Sequence, residues 1–302
     1  MGPGARHPRG GCWRRRAVAA ADRGRGTGRR GLTSVRGSHG EISPKRSHRQ
    51  EGTTMRIGIL GVGHIGKSLA QQLSAAGHDV KVANSRGPGT IESDVLSSGA
   101  RAVTSAEAVV DVDVVILSVP LGRIPQVAPL LTDLPPDTVI IDTSNYYPAR
   151  DGAIEAIEDG QVESLWVAEQ LGRPVVKAWN AIGSGSLATK RKPAGSPDRI
   201  AIPVAADDDR GRDVAMALVE ETGLDAFDAG TLAESWRQQP GTPGYCTDLS
   251  REELSGALAA ADAARSPRRR DLAVEVILDK LGDPRSNPDA DFGVRLARLI
   301  YM

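Results

Sequence analysis

The 302-residue chain is poor in histidine, cysteine and aromatic side chains. Its five histidines, His7, His39, His48, His64 and His78, all precede residue 79. A hydroxy-acid or alcohol dehydrogenase that relays a proton through imidazole is therefore disfavoured. Among the seven lysines, Lys177 falls in an expected strand, and Lys190 and Lys192 fall in a Pro-containing loop. None of these three occupies the helix on which a lysine-dependent β-hydroxyacid dehydrogenase presents its base. Two cysteines, Cys12 and Cys246, build neither a disulfide framework nor a four-ligand zinc site, and they suit a reducing compartment. The run Asp207-Asp208-Asp209 is consecutive rather than helically spaced, so it reads as a helix cap and not as a metal site. No stretch approaches the roughly 18 apolar residues that cross a bilayer. The expectation is a soluble, cytoplasmic protein with no metal and no membrane partner.

Charge is balanced only in total, at 38 basic and 38 acidic residues. Residues 1–54 hold 12 Arg and one Lys against Asp22, Glu41 and Glu51, which leaves 25 basic and 35 acidic residues for the remainder. A mildly acidic body is a poor nucleic-acid binder. The arm contains 11 Gly but only Val18, Leu32, Val35 and Ile42 as larger aliphatics, too little apolar surface to offset chain ordering. It is expected to be disordered and dispensable for activity. Met55, directly before strand-like sequence, is expected to be the true start.

From Arg56 onward, short β-branched runs alternate with helix-period segments, which predicts a parallel sheet with crossover helices. Strands are expected at 57–60, 79–83, 114–119, 138–142, 175–179 and 200–205, and helices at 65–76, 124–131 and 210–222. Continuous apolar strands require a sheet covered on both faces. Beyond Gly230 the chain passes through Pro240 and Pro243, then becomes Ala- and Leu-rich over 251–264 and 271–281. The fold class is α/β: a doubly wound parallel sheet followed by a smaller, mostly helical part.

Gly61-Val62-Gly63-His64-Ile65-Gly66 directly follows the first strand and opens the first helix. In that context Gly61 permits the tight turn and Gly63 admits a pyrophosphate close to the backbone. Gly66 lets helix pack on strand, while the helix amides of His64 and Ile65 point at phosphate. This is a Rossmann fingerprint. An NAD site usually carries an acid about 20 residues later, yet here the second strand ends in Ala83-Asn84-Ser85-Arg86-Gly87. Arg86 can fork onto a phosphate and Ser85 can donate a hydroxyl, so NADP(H) is favoured. The dinucleotide-binding domain is assigned to 55–182 and the acceptor domain to 183–302.

Ligands lie at the carboxyl ends of such strands. Ser118, Val119 and Pro120 are expected to border the adenosine side and the nicotinamide ribose, and Asn180, Ala181 and Ile182 the nicotinamide. Tyr146, Tyr147, Trp179, Trp236 and Tyr245 fall in or beside these loops, and flat rings suit a flat second substrate. Asn145, Tyr146, Trp236 and Tyr245 are the candidate acceptor contacts, with the 236–245 segment as a cap. No acid–base residue is assigned, because hydride transfer between stacked rings depends mainly on alignment.

Taken together, Arg56 to Gly66, Ser85-Arg86, Val119-Pro120, Val175 to Leu187, Pro203 to Asp209 and Asp228-Ala229-Gly230 resemble the NADPH-dependent reductases of coenzyme F420, an 8-hydroxy-5-deazaflavin. The resemblance runs from Met55 to about Leu232. It implies a Rossmann domain with a small carboxyl-terminal domain and NADP held by the glycine loop, Ser85 and Arg86. It also implies a nicotinamide seated against a deazaflavin or flavin-like ring by Asn180-Ala181-Ile182. After Glu234 the chain departs from the shorter end of those reductases. Two other readings remain open: a pyrroline-carboxylate or imine reductase, and a non-catalytic NADP(H)-sensing module. A homodimer is expected by analogy alone.

Overall fold

The computed structural model describes residues 54–282 and 288–302. The Arg- and Gly-rich arm, and with it the expectation of disorder there, lies outside the described residues apart from Thr54.

Six parallel strands form the main sheet: β1 (Arg56–Leu60), β2 (Asp79–Ala83), β3 (Arg101–Ala102), β4 (Val114–Leu117), β5 (Val139–Asp142) and β6 (Val176–Lys177), in the order β3-β2-β1-β4-β5-β6. Central β1 places Ile57 beside Val80 on one flank and Val114 on the other, with every neighbouring pair parallel. All of β4 and β5 is buried, which explains their unbroken apolar sequence. Strand order reverses between β1 and β4, so a crevice opens at their carboxyl ends.

Helix α1 (His64–Ala76) starts behind Gly63 and ends at Gly77, whose φ of 106° closes it in the left-handed region. Next come α2 (Ile124–Leu131), α3 (Pro148–Asp151), α4 (Glu155–Glu158), α5 (Glu163–Leu171) and α6 (Ser184–Thr189). A β7 (Ala201–Val204), α7 (Asp209–Glu221), β8 (Asp225–Asp228) unit follows. The acidic run caps α7 as expected, with the Asp208 carboxylate accepting from the Gly211 amide. Three helices end the chain: α8 (Arg251–Ala259), α9 (Ser266–Leu281) and α10 (Ala290–Tyr301).

The sixth expected strand does not extend the parallel sheet. Residues of β7 pair in parallel with β8 in a separate two-stranded sheet, and only an isolated antiparallel bridge between Lys177 and Ala205 links β7 to β6. Crossover through α7 returns the chain alongside β7, so β8 takes its hydrogen-bonding edge. The sequence Asp225-Ala226-Phe227-Asp228 hid β8 because acids bracket its two apolar residues.

Alternate residues of the main sheet feed two cores. On one face Ile57, Ile59, Val114, Ile116 and Ile141 pack with Leu69 and Leu73 of α1, and the same core takes in Ile202, Val204, Leu218 and Leu224. On the other, Leu60, Val115, Leu117 and Ile140 pack with Leu121, Ile124, Leu131, Trp166, Val167 and Leu171. The first of these cores takes in residues from Ile57 to Ala226, on both sides of Ile182.

Close packing is tightest under β1, where a Cβ added at Gly58 would stand 1.9 Å from the Ala108 carbonyl oxygen. Gly58→Ala is expected to cost about 1–3 kcal/mol of stability, the usual range for overpacking. Thermal denaturation followed by circular dichroism checks this; an unchanged midpoint contradicts it.

Candidate active site

The glycine loop is built by backbone contacts. Gly61 sits at φ 103°, and a Cβ there would lie 2.1 Å from the Ser118 carbonyl oxygen. One at Gly66 would lie 2.0 Å from the Gly61 oxygen. Packing forces both glycines. Gly63 differs: nothing lies within 4 Å of its hypothetical Cβ, and it lines an open cavity of about 400 Å³. A side chain at Gly63 would project into that space without touching protein, so a visiting group explains this glycine better than packing does. Helix α1 has no side-chain cap, and its first internal bond is donated by the Lys67 amide to the Gly63 oxygen. The amides of His64, Ile65 and Gly66 therefore remain available for an anion at the positive end of the helix.

At the end of β2, the Asn84 side chain accepts from the Arg86 amide and donates to the Thr90 hydroxyl. This turn leaves Ser85 and Arg86 exposed, and among the described residues the Arg86 guanidinium has no ion-pair partner. No carboxylate occupies the Ala83-to-Gly87 turn. The residues present thus fit a phosphorylated dinucleotide: amides for the diphosphate, and a hydroxyl with a free guanidinium for a further phosphate.

Eight of the thirteen expected cofactor residues converge. Gly63, His64, Ile65, Ser118, Val119, Pro120, Asn180 and Ile182 all line the cavity. Gly61, Gly66, Ser85, Arg86 and Ala181 do not; Ala181 packs beneath it with Tyr245, Ala273, Ala297 and Tyr301.

Asn145 and Asn180 reach the cavity, but their amides are engaged with each other. Asn145 donates to the Asn180 carbonyl oxygen (2.9 Å), and Asn180 donates to the Asn145 side-chain oxygen (3.1 Å) and to the Gln238 carbonyl (2.9 Å). Gln238 returns a bond to the Asn180 side-chain oxygen (2.9 Å). These residues brace the loops after β5 and β6.

Of the expected acceptor contacts, Tyr245 lines the cavity, whereas Tyr146 and Trp236 lie outside its lining. Tyr146 is fully buried, and its hydroxyl is consumed by the Glu158 carboxylate (2.6 Å), the Gly152 carbonyl and the Ile154 amide. Trp236 lies half-buried in a 3-10 stretch, under the Arg237 guanidinium at 4.4 Å. Adjacent residues on the β5 loop point to different places, so it is Tyr147 that enters the cavity, with its hydroxyl 2.7 Å from that of Tyr245.

The far wall was not foreseen. Ala273, Val274 and Ile277 of α9, with Ala290, Gly293, Val294, Leu296, Ala297 and Tyr301 of α10, close the cavity. The spacing Ala290, Gly293, Ala297, Tyr301 is a helical stripe that was legible in the sequence. The pairing of that stripe with the glycine loop was not.

Beneath the β5 loop, Lys177 and Asp142 form a fully buried ion pair at 2.7 Å, and Lys177 also donates to the Ser144 carbonyl (2.6 Å). The buried Ser144 hydroxyl, on a residue lining the cavity, has no hydrogen-bond partner among the described residues. Burial pushes the Tyr147 and Tyr245 phenols upward and the Cys246 thiol up to about 12, so all three stay protonated at neutral pH.

The family model for NADP oxidoreductase, coenzyme F420-dependent, matches residues 56–146. Protein YjhV of Escherichia coli (strain K12) is 38% identical over 99 residues, covering 33% of this chain and 72% of that protein. The chain belongs to the coenzyme F420-dependent NADP oxidoreductase family. A crystal structure of the hypothetical protein SMa0349 from Sinorhizobium meliloti is also similar, with a TM-score of 0.56 and 29% identity over 64% of this chain and 94% of that one. Membership makes the chain an NAD(P)-dependent oxidoreductase with a nicotinamide cofactor. Among the described residues no helix is long and apolar enough to cross a membrane, and no three or more His, Cys, Asp or Glu side chains are placed to hold a metal ion.

Glu163 of α5 supports the site from below by accepting from the Tyr146 amide (3.1 Å). Burial raises its pKa from 4.5 to about 7, with nearby Lys177 opposing the rise. The folded state therefore binds this proton more tightly than the unfolded chain does. The resulting stability is fully present below about pH 4.5 and is lost as pH rises through about 7, roughly 3 kcal/mol in all. Glu163→Gln keeps an acceptor and should flatten that decline; thermal midpoints across this range check it, and an identical slope in the variant contradicts it.

Proposed function

We propose that the protein transfers hydride between NADP(H) and a deazaflavin- or flavin-like ring. One observation carries this reading: the glycine loop, with its unpaired helix amides and its unpacked Gly63, opens into the same cavity that Tyr147 and Tyr245 line from the opposite side.

The geometry supports the following division of labour. Amides of His64, Ile65 and Gly66 hold the diphosphate, while Ser85 and Arg86 select the extra phosphate. Ser118 to Pro120 border the adenosine side and the nicotinamide ribose, and Asn180 and Ile182 seat the nicotinamide, which supplies the transferable hydride when bound. Helices α9 and α10 shield the reacting carbons from water and confine the second ring. Little proton machinery is required, which agrees with a chain lacking histidine beyond position 78. Alignment of two rings in a shared pocket provides the rate enhancement.

Stopped-flow mixing of NADPH with oxidised deazaflavin tests the reading directly, and the deazaflavin band should bleach. No bleaching by protein that binds NADPH overturns it. Arg86→Ala should raise the KM for NADPH about 10- to 100-fold, the loss expected for a charge-assisted phosphate contact, while the KM for NADH changes little. Equal effects on both cofactors would remove the assignment of Arg86.

A further inference from the structure

Tyr147 and Tyr245 meet from parts of the chain 98 positions apart. Tyr147 closes the loop after β5 and precedes α3, whereas Tyr245 belongs to the segment that leads toward α8. Their hydroxyls are 2.7 Å apart, and both residues line the cavity that the glycine loop also lines. Convergence of two phenols at one point of a site is not required by the fold, since phenylalanine would fill the same volume.

Hydrogen counting shows what the pair can do. Each phenol carries one hydrogen and can accept through its oxygen. One hydrogen is used in the internal bond, and one is left over. Among the described residues, no backbone carbonyl or carboxylate accepts from either hydroxyl, in contrast to Tyr146, whose hydroxyl is committed to Glu158 and Gly152. The Cys246 thiol next to Tyr245 stays protonated and can donate its hydrogen to the Tyr245 oxygen, an arrangement that leaves the spare phenol hydrogen on Tyr147. The whole cluster is uncharged at neutral pH because burial favours its protonated forms. It therefore faces the cavity as a neutral donor.

We infer that the Tyr147–Tyr245 pair donates a hydrogen bond to the heteroatom of the acceptor ring that gains electron density as hydride arrives. The inference rests on the hydride-transfer reading above and narrows its substrate class. The acceptor is an unsaturated ring whose hydride-receiving carbon is conjugated to a carbonyl oxygen or an imine-type nitrogen. The C4–H bond of the dihydronicotinamide breaks and leaves oxidised nicotinamide; its hydride forms a C–H bond at the acceptor carbon, the displaced π pair moves to the heteroatom, the phenol hydrogen faces that charge, and solvent supplies the proton of the reduced ring. A preorganised donor aimed at developing negative charge stabilises the transition state more than the ground state. A ring lacking such a heteroatom gains nothing from the pair.

The test uses Tyr147→Phe, Tyr245→Phe and the double variant in the full chain, with oxidised deazaflavin as the probe. Binding of the ring alone should shift its visible absorbance band in the wild type, and the double variant should lose the shift. Hydride transfer from NADPH should slow about 100-fold in the double variant, as expected for removal of a donor to developing charge, with NADPH affinity unchanged. The single variant whose hydroxyl faces the ring should lose nearly as much and the other less, because one phenol still retains a hydrogen. The singles also keep the test readable should the double variant fail to fold. An unshifted wild-type band, or a double variant that matches the wild type in band position and rate, overturns the inference while leaving hydride transfer intact. Protein that binds NADPH but neither binds nor bleaches the ring removes the functional reading and this inference together.

Discussion

Contact of backbone with backbone at the carboxyl end of β1 is the constraint on which the site depends. The Gly61 amide donates to the Ala83 carbonyl (2.8 Å) and the Ser118 amide to the Leu60 carbonyl (2.8 Å), so the ends of β1, β2 and β4 are tied at one level. No side chain fits between the Gly61 turn and Ser118, or between Gly66 and the Gly61 carbonyl. This closeness aims the first amides of α1 at the crevice where strand order reverses. A Cβ at either glycine would push α1 away from the sheet and displace the amides that make the crevice an anion site.

A second layer of polar contacts fixes the loops that this crevice needs. Asn145, Asn180 and Gln238 interlock the ends of β5 and β6 with the segment before α8. Lys177 and Asp142 hold the start of the β5 loop from a fully buried position. Such a pair contributes little net stability relative to an apolar replacement, but loss of one partner would strand the other charge in the core. Its value lies in position: it orients Ser144, Asn145 and Tyr147 around the cavity rather than reacting itself. The network also explains how adjacent Tyr146 and Tyr147 come to play different parts, one sealed in the core and the other at the cavity.

The sheet and the cofactor side of the site were legible because their signals are local. Strands β4 and β5 announce themselves as β-branched runs buried on both faces, β1 and β2 as shorter apolar patterns, and the glycine spacing with the first helix is a contiguous pattern whose geometry follows from sterics. Residues from Gly63 to Ile65, Ser118 to Pro120, Asn180 and Ile182 accordingly reach one cavity. The acceptor side was less legible. Trp236 has suspected site residues as its neighbours in sequence, yet it stacks under Arg237 outside the cavity. β8 leaves no strand signal because two acids flank its short apolar centre, and β7 pairs outside the main sheet because pairing partners are chosen by tertiary packing.

Sequence alone determined the chemistry that is absent, with no imidazole beyond residue 78, and the chemistry that is present, a turn of glycines before a helix and a guanidinium without an accompanying acid. Both are properties of residue type and short spacing. Only the tertiary structure decided which aromatic residues share the cavity and that α9 and α10 form its far wall. It also decided that the Tyr147 hydroxyl finds that of Tyr245. Those contacts join positions about a hundred or more residues apart, and periodicity along a chain carries no information about which distant surfaces will be pressed together when the core closes.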